Sequence, residues 1–220
     1  MLAALAVGVA FAALGAAAER LASVWPPDEA SHRSPGVRTA MLASGAGVAG
    51  GALTWRSTLP IWALTVYLVI LAILVLLTAT DLEQRRLPHV LLDPLIVVAA
   101  VFVPFNPAIG WTDALIGAVA AVAFLGLLGL LVRGGVALGD LFLVAPLGLL
   151  LGWPAIFIAM FVAGLLSAIV SIGLLLTRRA GLKSYIPFGP FLVAGTVVTL
   201  LREPDLLRPA AIAISALLPR

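Results

Sequence analysis

The 220 residues contain no cysteine. That excludes disulfides, thiolate metal sites and a cysteine nucleophile together. Histidine is almost as scarce: His32 and His89 are the only two, which argues against a histidine-rich metal site. Charge is short as well, with 10% of residues Asp, Glu, Lys or Arg, where soluble domains carry about 25%. Nothing in this inventory calls for a metal or a cofactor.

What fills the chain instead is apolar. Hydrophobic residues make up 63% and the mean hydropathy is +1.20, so the expected class is all-α, a polytopic transmembrane helical bundle embedded in the lipid bilayer. The excess of three basic residues sits in short loops. It reads as a topology signal and gives no reason to expect a nucleic-acid partner. The first stretch, MLAALAVGVAFAALGAAAER, reads as a retained first span, because no Lys or Arg precedes Arg20 to make the basic start of a signal peptide.

A span needs roughly 20 mostly apolar residues. That rule predicts about eight segments, near 2–20, 38–55, 61–80, 89–104, 112–132, 138–152, 154–177 and 187–201. The second is rich in Gly and Ala, which suits close helix packing in lipid. The fourth and sixth are short and contain Pro94 and Pro146, as spans that pack against protein or line a cavity do. The divisions expected are an N-terminal helical pair with a short loop (1–59), a membrane core (60–201) and an interfacial tail (202–220). With eight spans and both ends outside, the cytoplasmic side carries Arg20, Arg33, Arg38, Arg85, Arg86, Arg133, Arg178, Arg179 and Lys183, against Arg56, Arg202, Arg208 and Arg220 outside. That bias supports the assignment.

Most acids fall in or beside loops. Asp113 opens the fifth span, where the helix dipole favours a carboxylate. Asp93 precedes Pro94 and reads as a turn or packing feature. Asp81 and Asp140 are different. Asp81 closes the third span and Asp140 opens the sixth. Two crossings between them return the chain to the same face, so both acids are expected at the cytoplasmic side. Ionisable groups inside membranes default to a functional reading. Each acid also has a structural alternative: Asp81 could pair with Arg85 at i, i+4, and Asp140 could cap its helix. Two carboxylates at one depth can share a proton, one activating water while the other donates to a scissile carbonyl or a leaving amine. A proton relay in a transporter uses the same pair of groups.

Three motifs carry a family resemblance. DLEQRRLPHVLLDPL (81–95) resembles the first catalytic motif of the type IV prepilin peptidase family, the GxGD-type intramembrane aspartic peptidases that include the archaeal preflagellin peptidases. GDLFLVAPLGLLLGW (139–153) resembles the GxGD motif, and IPFGPFLVAG (186–195) resembles an element near the family's last helix. The resemblance covers roughly residues 60–201. It implies Asp81 and Asp140 as the catalytic pair. From residue chemistry, Gly139 could let backbone approach substrate or simply start a helix, and Pro187, Phe188, Gly189 and Pro190 could present backbone groups to an extended substrate or form a plain loop-to-helix entry. The resemblance also implies prepilin-like substrates, with a basic leader before a hydrophobic helix, cut at the cytoplasmic face of the inner membrane. The first glycine of the signature is Ala137 here, and Phe142 stands where a lysine is common. The loop 19–37 is short and lacks the cysteines of larger members, which puts N-methyltransferase activity in question. Arg85 and Arg86 read as positive-inside anchors and His89 as an interface residue. The competing readings are a proton-coupled small transporter and a catalytically inactive pilus-assembly component.

Overall fold

The computed structural model describes residues 1–25, 31–131, 136–178 and 186–202. Among them are α1 (Leu2–Val24), α2 (Val37–Arg56), α3 (Ile61–Gln84), α4 (His89–Phe102), α5 (Trp111–Leu131), α6 (Leu138–Leu151), α7 (Ala155–Leu176) and α8 (Gly189–Arg202). A single 3-10 turn, Val103–Phe105, continues α4. No strand occurs among the described residues, as expected where lipid leaves backbone groups no partner outside the helix.

The fold class matches the expectation, but eight crossings is an overcount. Among the described residues, α1, α3, α5 and α7 are the four helices long and apolar enough to cross a bilayer, which makes the chain a multi-pass membrane protein. The short helices α4, α6 and α8 have 14 residues each. At 1.5 Å per residue a helix of that size reaches only about 21 Å, short of a hydrocarbon core about 30 Å thick. A window of apolar composition does not register where the backbone breaks. The fourth segment changes to a 3-10 turn at Val103. The sixth stops at Gly152, whose φ of 68° is left-handed. The eighth becomes helical only at Gly189. As for the tail, Arg202 belongs to α8 and 203–220 lie outside the described residues. So do the loop positions 26–30, Arg133, and residues 179–185 with Arg179 and Lys183.

Helices in lipid gain little from mutual hydrophobicity and associate through close packing. α1 lies along α2, α5 along α6, and α7 along α8. The backbones come very near: a Cβ on Gly15 would lie 2.7 Å from the Leu42 carbonyl oxygen, and one on Gly148 only 2.5 Å from the Ala118 Cα. α3 is the shared partner. Its Leu71, Val75 and Ala79 join Phe11, Ala18, Ala22, Ala46 and Ala49 of the α1–α2 hairpin. Its Tyr67, Ile70, Leu74 and Leu77 join the core formed with α4 to α8. One end of this central helix carries Asp81.

Candidate active site

Asp81 occupies the last turn of α3. That turn closes on Arg85, a non-glycine residue in the left-handed region with φ 57°. Its backbone N–H donates to the Asp81 carbonyl at 2.9 Å. It is therefore the Arg85 backbone that serves the helix end, and no ion pair joins Asp81 to its guanidinium among the described residues. The chain then turns through Arg86, Leu87 and Pro88 into α4.

Asp140 is the third residue of α6. Its backbone N–H donates to the Ala137 carbonyl at 3.1 Å, and its Oδ2 accepts the Ala137 N–H at 3.4 Å. Asp140 is thus not the N-cap considered for it, a position that Ala137 holds; its carboxylate instead accepts the N-cap residue's N–H from the third helical position. This contact engages one oxygen and leaves the side chain in the wall of a cavity.

The two acids, far apart in sequence, line one cavity of about 590 Å³. Each is 3% exposed. Gly139 shares this wall, together with Thr80, Gln84, Leu87, Pro88, Ala137 and Leu138. Arg85, Arg86 and His89, expected as membrane anchors or at the interface, are exposed and also line it. Phe142 packs edge-on against His89, ring centroids 5.2 Å apart. The other side of that imidazole is taken by exposed Asp93, with Nδ1 and Oδ1 separated by 3.3 Å.

The 186–195 element divides. Gly189 opens α8 directly against Asp81: a Cβ there would stand 2.5 Å from Oδ2 and 3.5 Å from Leu87 Cδ2. Only a residue without a side chain fits this contact. Phe188 faces elsewhere, into an apolar groove of about 490 Å³ with Phe124, Leu128, Phe157 and Met160. Neither Pro187 nor Pro190 lines the acids' cavity. Pro190 occupies the first turn of α8, and Phe188 accepts the N–H groups of Phe191 and Leu192 at 3.0 and 3.1 Å. A proline in that turn sacrifices no helical hydrogen bond.

Asp81 Oδ2 is buried without a hydrogen-bond partner. Burying a polar oxygen this way is costly. Chemically, it is an acceptor in a cavity that a second carboxylate also lines. Among the described residues no group of three or more His, Asp or Glu side chains is arranged to hold a metal ion. One lining residue carried no signal in the sequence: Trp25, at the C-cap of α1. A lone tryptophan before two prolines has no periodicity to mark it.

Residues 68–172 match the type IV leader peptidase family. The chain is 35% identical over 150 residues to a prepilin leader peptidase/N-methyltransferase of Aeromonas hydrophila, covering 64% of this chain and 51% of that one. The protein of the same name in Bacillus subtilis (strain 168) is 29% identical over 133 residues, covering 60% and 54%. That of Pseudomonas putida is 30% identical over 172 residues, covering 74% and 59%. The chain spans about half the length of the curated relatives it matches. No solved structure matches it.

Proposed function

We propose, for a chain whose residues 68–172 belong to the type IV leader peptidase family, that it is an intramembrane aspartic endopeptidase. It removes the leader peptide of prepilin-like precursors, as the names printed for its relatives suggest. The observation that carries this reading is the meeting of Asp81 and Asp140, both buried, in one cavity. Two buried carboxylates lining one cavity are a poor structural device and a good acid–base pair.

In the proposed reaction one carboxylate takes a proton from water as its oxygen attacks the scissile carbonyl. The other, carrying the shared proton, donates to the carbonyl oxygen. Collapse of the tetrahedral intermediate breaks the C–N bond. The leaving amine takes up a proton, and a free carboxylate and a free amine result. No covalent enzyme intermediate is involved. Gly189 lets backbone come close to Asp81 and Gly139 lets it come close to Leu87 in the cavity wall, while Pro187, Phe188 and Pro190 shape the start of α8. The proposal covers hydrolysis and not methyl transfer.

Sidedness follows from charge. Arg20, Arg33, Arg38, Arg85 and Arg86 cluster around the helix ends near the acids, and basic residues favour the cytoplasmic side. The cavity is accordingly assigned to the cytoplasmic face of the inner membrane, where water is available. The test is co-expression with a prepilin-like precursor. Wild-type protein yields the shortened product, while Asp81→Asn and Asp140→Asn do not. Cleavage that survives both changes sinks the pair.

A further inference from the structure

We propose that Trp25, which lies outside the family-matched stretch 68–172, is a substrate-contacting and specificity-determining residue of the cavity that holds Asp81 and Asp140. The inference rests on the peptidase reading and extends it to the N-terminal hairpin.

Trp25 ends α1 and is 55% exposed, yet it lines the acids' cavity. It is held there through its backbone. Gln84, three residues beyond Asp81, donates Nε2 to the Trp25 carbonyl at 2.7 Å and to the Ala22 carbonyl at 2.9 Å. The neighbouring residues of α3 are clasped too. Glu83, whose side chain is 3% exposed, pairs with Arg33 at 3.4 Å and Arg38 at 3.5 Å and accepts from Ser31. Arg38 also donates to the Leu82 carbonyl at 3.4 Å. Residues 82 to 84 are thus all bound by the hairpin, which ties the end of α1 to the Asp81 turn.

This clasp fixes the backbone of Trp25 and leaves its indole free of any hydrogen bond within the described residues. A large apolar ring, positioned but unburied, at the wall of a cavity with two carboxylates is a surface for something that enters. Phe142, 45% exposed and braced by His89, is a second aromatic of the same cavity. Flat apolar walls favour an apolar side chain on an extended peptide threaded past the acids. The chemical class recognised is therefore an apolar residue flanking the scissile bond.

The experiment uses the full chain in detergent and synthetic precursor peptides with a lysine-rich leader joined to an apolar helix, bearing either an apolar residue or serine beside the cut. Trp25→Ala is expected to raise KM about tenfold for the apolar peptide, the equivalent of losing one aromatic contact, with kcat within about twofold. It lowers the preference for apolar over serine peptide by a similar factor, and Trp25→Phe restores most of both. Gln84→Leu, which frees the end of α1, moves KM in the same direction. Peptide binding to the Asp81→Asn/Asp140→Asn double variant, with and without Trp25→Ala, reads the contact without catalysis. Unchanged KM, binding and preference in Trp25→Ala overturn the inference alone, leaving the indole as an interfacial anchor. Tight, Trp25-dependent binding without wild-type cleavage supports the contact while defeating the peptidase reading. A peptide that neither binds nor is cut overturns both.

Discussion

Asp81 and Asp140 are the same residue type, equally buried, in one cavity, yet the helix ends that carry them are built on opposite plans. Asp140 sits in a first turn and accepts the Ala137 N–H, so part of its carboxylate does capping work. Asp81 sits in a last turn, where donors are spent on carbonyls, and its Oδ2 takes no hydrogen bond from its own helix and lies against the Gly189 backbone. Two contacts reflect the difference. A Cβ on Gly189 would press on the Asp81 carboxylate itself at 2.5 Å, whereas one on Gly139 would meet only the flexible Leu87 side chain at 3.2 Å. One acid is integrated into its helix. The other is held in place by its surroundings.

The comparison can be broken or sharpened by mutation. The largest expected effect is on catalysis, where the two acids should look alike. Asp81→Asn and Asp140→Asn each lower precursor cleavage about a thousandfold, in the range of losing a positioned acid or base. A time course on gels checks this, and a rate above a tenth of wild type for either variant breaks the pair. Next, Gly189→Ala lowers cleavage about a hundredfold by displacing Asp81, while circular dichroism keeps its helical signal. A smaller and asymmetric effect concerns stability. Asp140→Ala loses the hydrogen bond from the Ala137 N–H and drops by about 1 kcal/mol, whereas Asp81→Ala, which loses no comparable helix-end hydrogen bond, drops by less. Thermal denaturation in detergent separates them, and equal losses would erase the structural distinction. The smallest effect is Gly139→Ala, whose cleavage rate stays within about tenfold of wild type because Leu87 can shift by a few tenths of an ångström.

Much of the fold and the candidate site was legible in the sequence. Asp81 and Asp140 stood out because a carboxylate at the edge of an apolar run is rare and expensive in lipid, and the structure brings both to one cavity. Helices α1, α3, α5 and α7 were visible as long apolar runs. The span count was not, because α4, α6 and α8 are shorter than the bilayer although their windows are apolar, and α2, though 20 residues long, is too rich in glycine, alanine and polar residues to join the four. Arg85 and Arg86 were read from the charge rule, which assigns a side of the membrane but no direction to a side chain, and His89 as a lone interfacial histidine; all three also line the cavity. The Pro-Phe-Gly-Pro element was read as a unit. Its glycine faces Asp81 while its phenylalanine faces the α5–α7 groove, since successive residues entering a helix diverge by roughly 100°.

The membrane class and the all-α architecture were determined by the sequence alone, because hydrophobicity and the need to satisfy every backbone group internally act on any chain of this composition. So were the positions of the two acids at the ends of apolar runs. What only the tertiary structure decided is how those ends are completed: Gly189 against Oδ2, Gln84 on the end of α1, and Trp25 in the cavity wall. Each joins residues far apart in sequence, through the packing of α3 against α1 on one side and α8 on the other. That packing depends on close steric fit, which no periodicity or composition encodes.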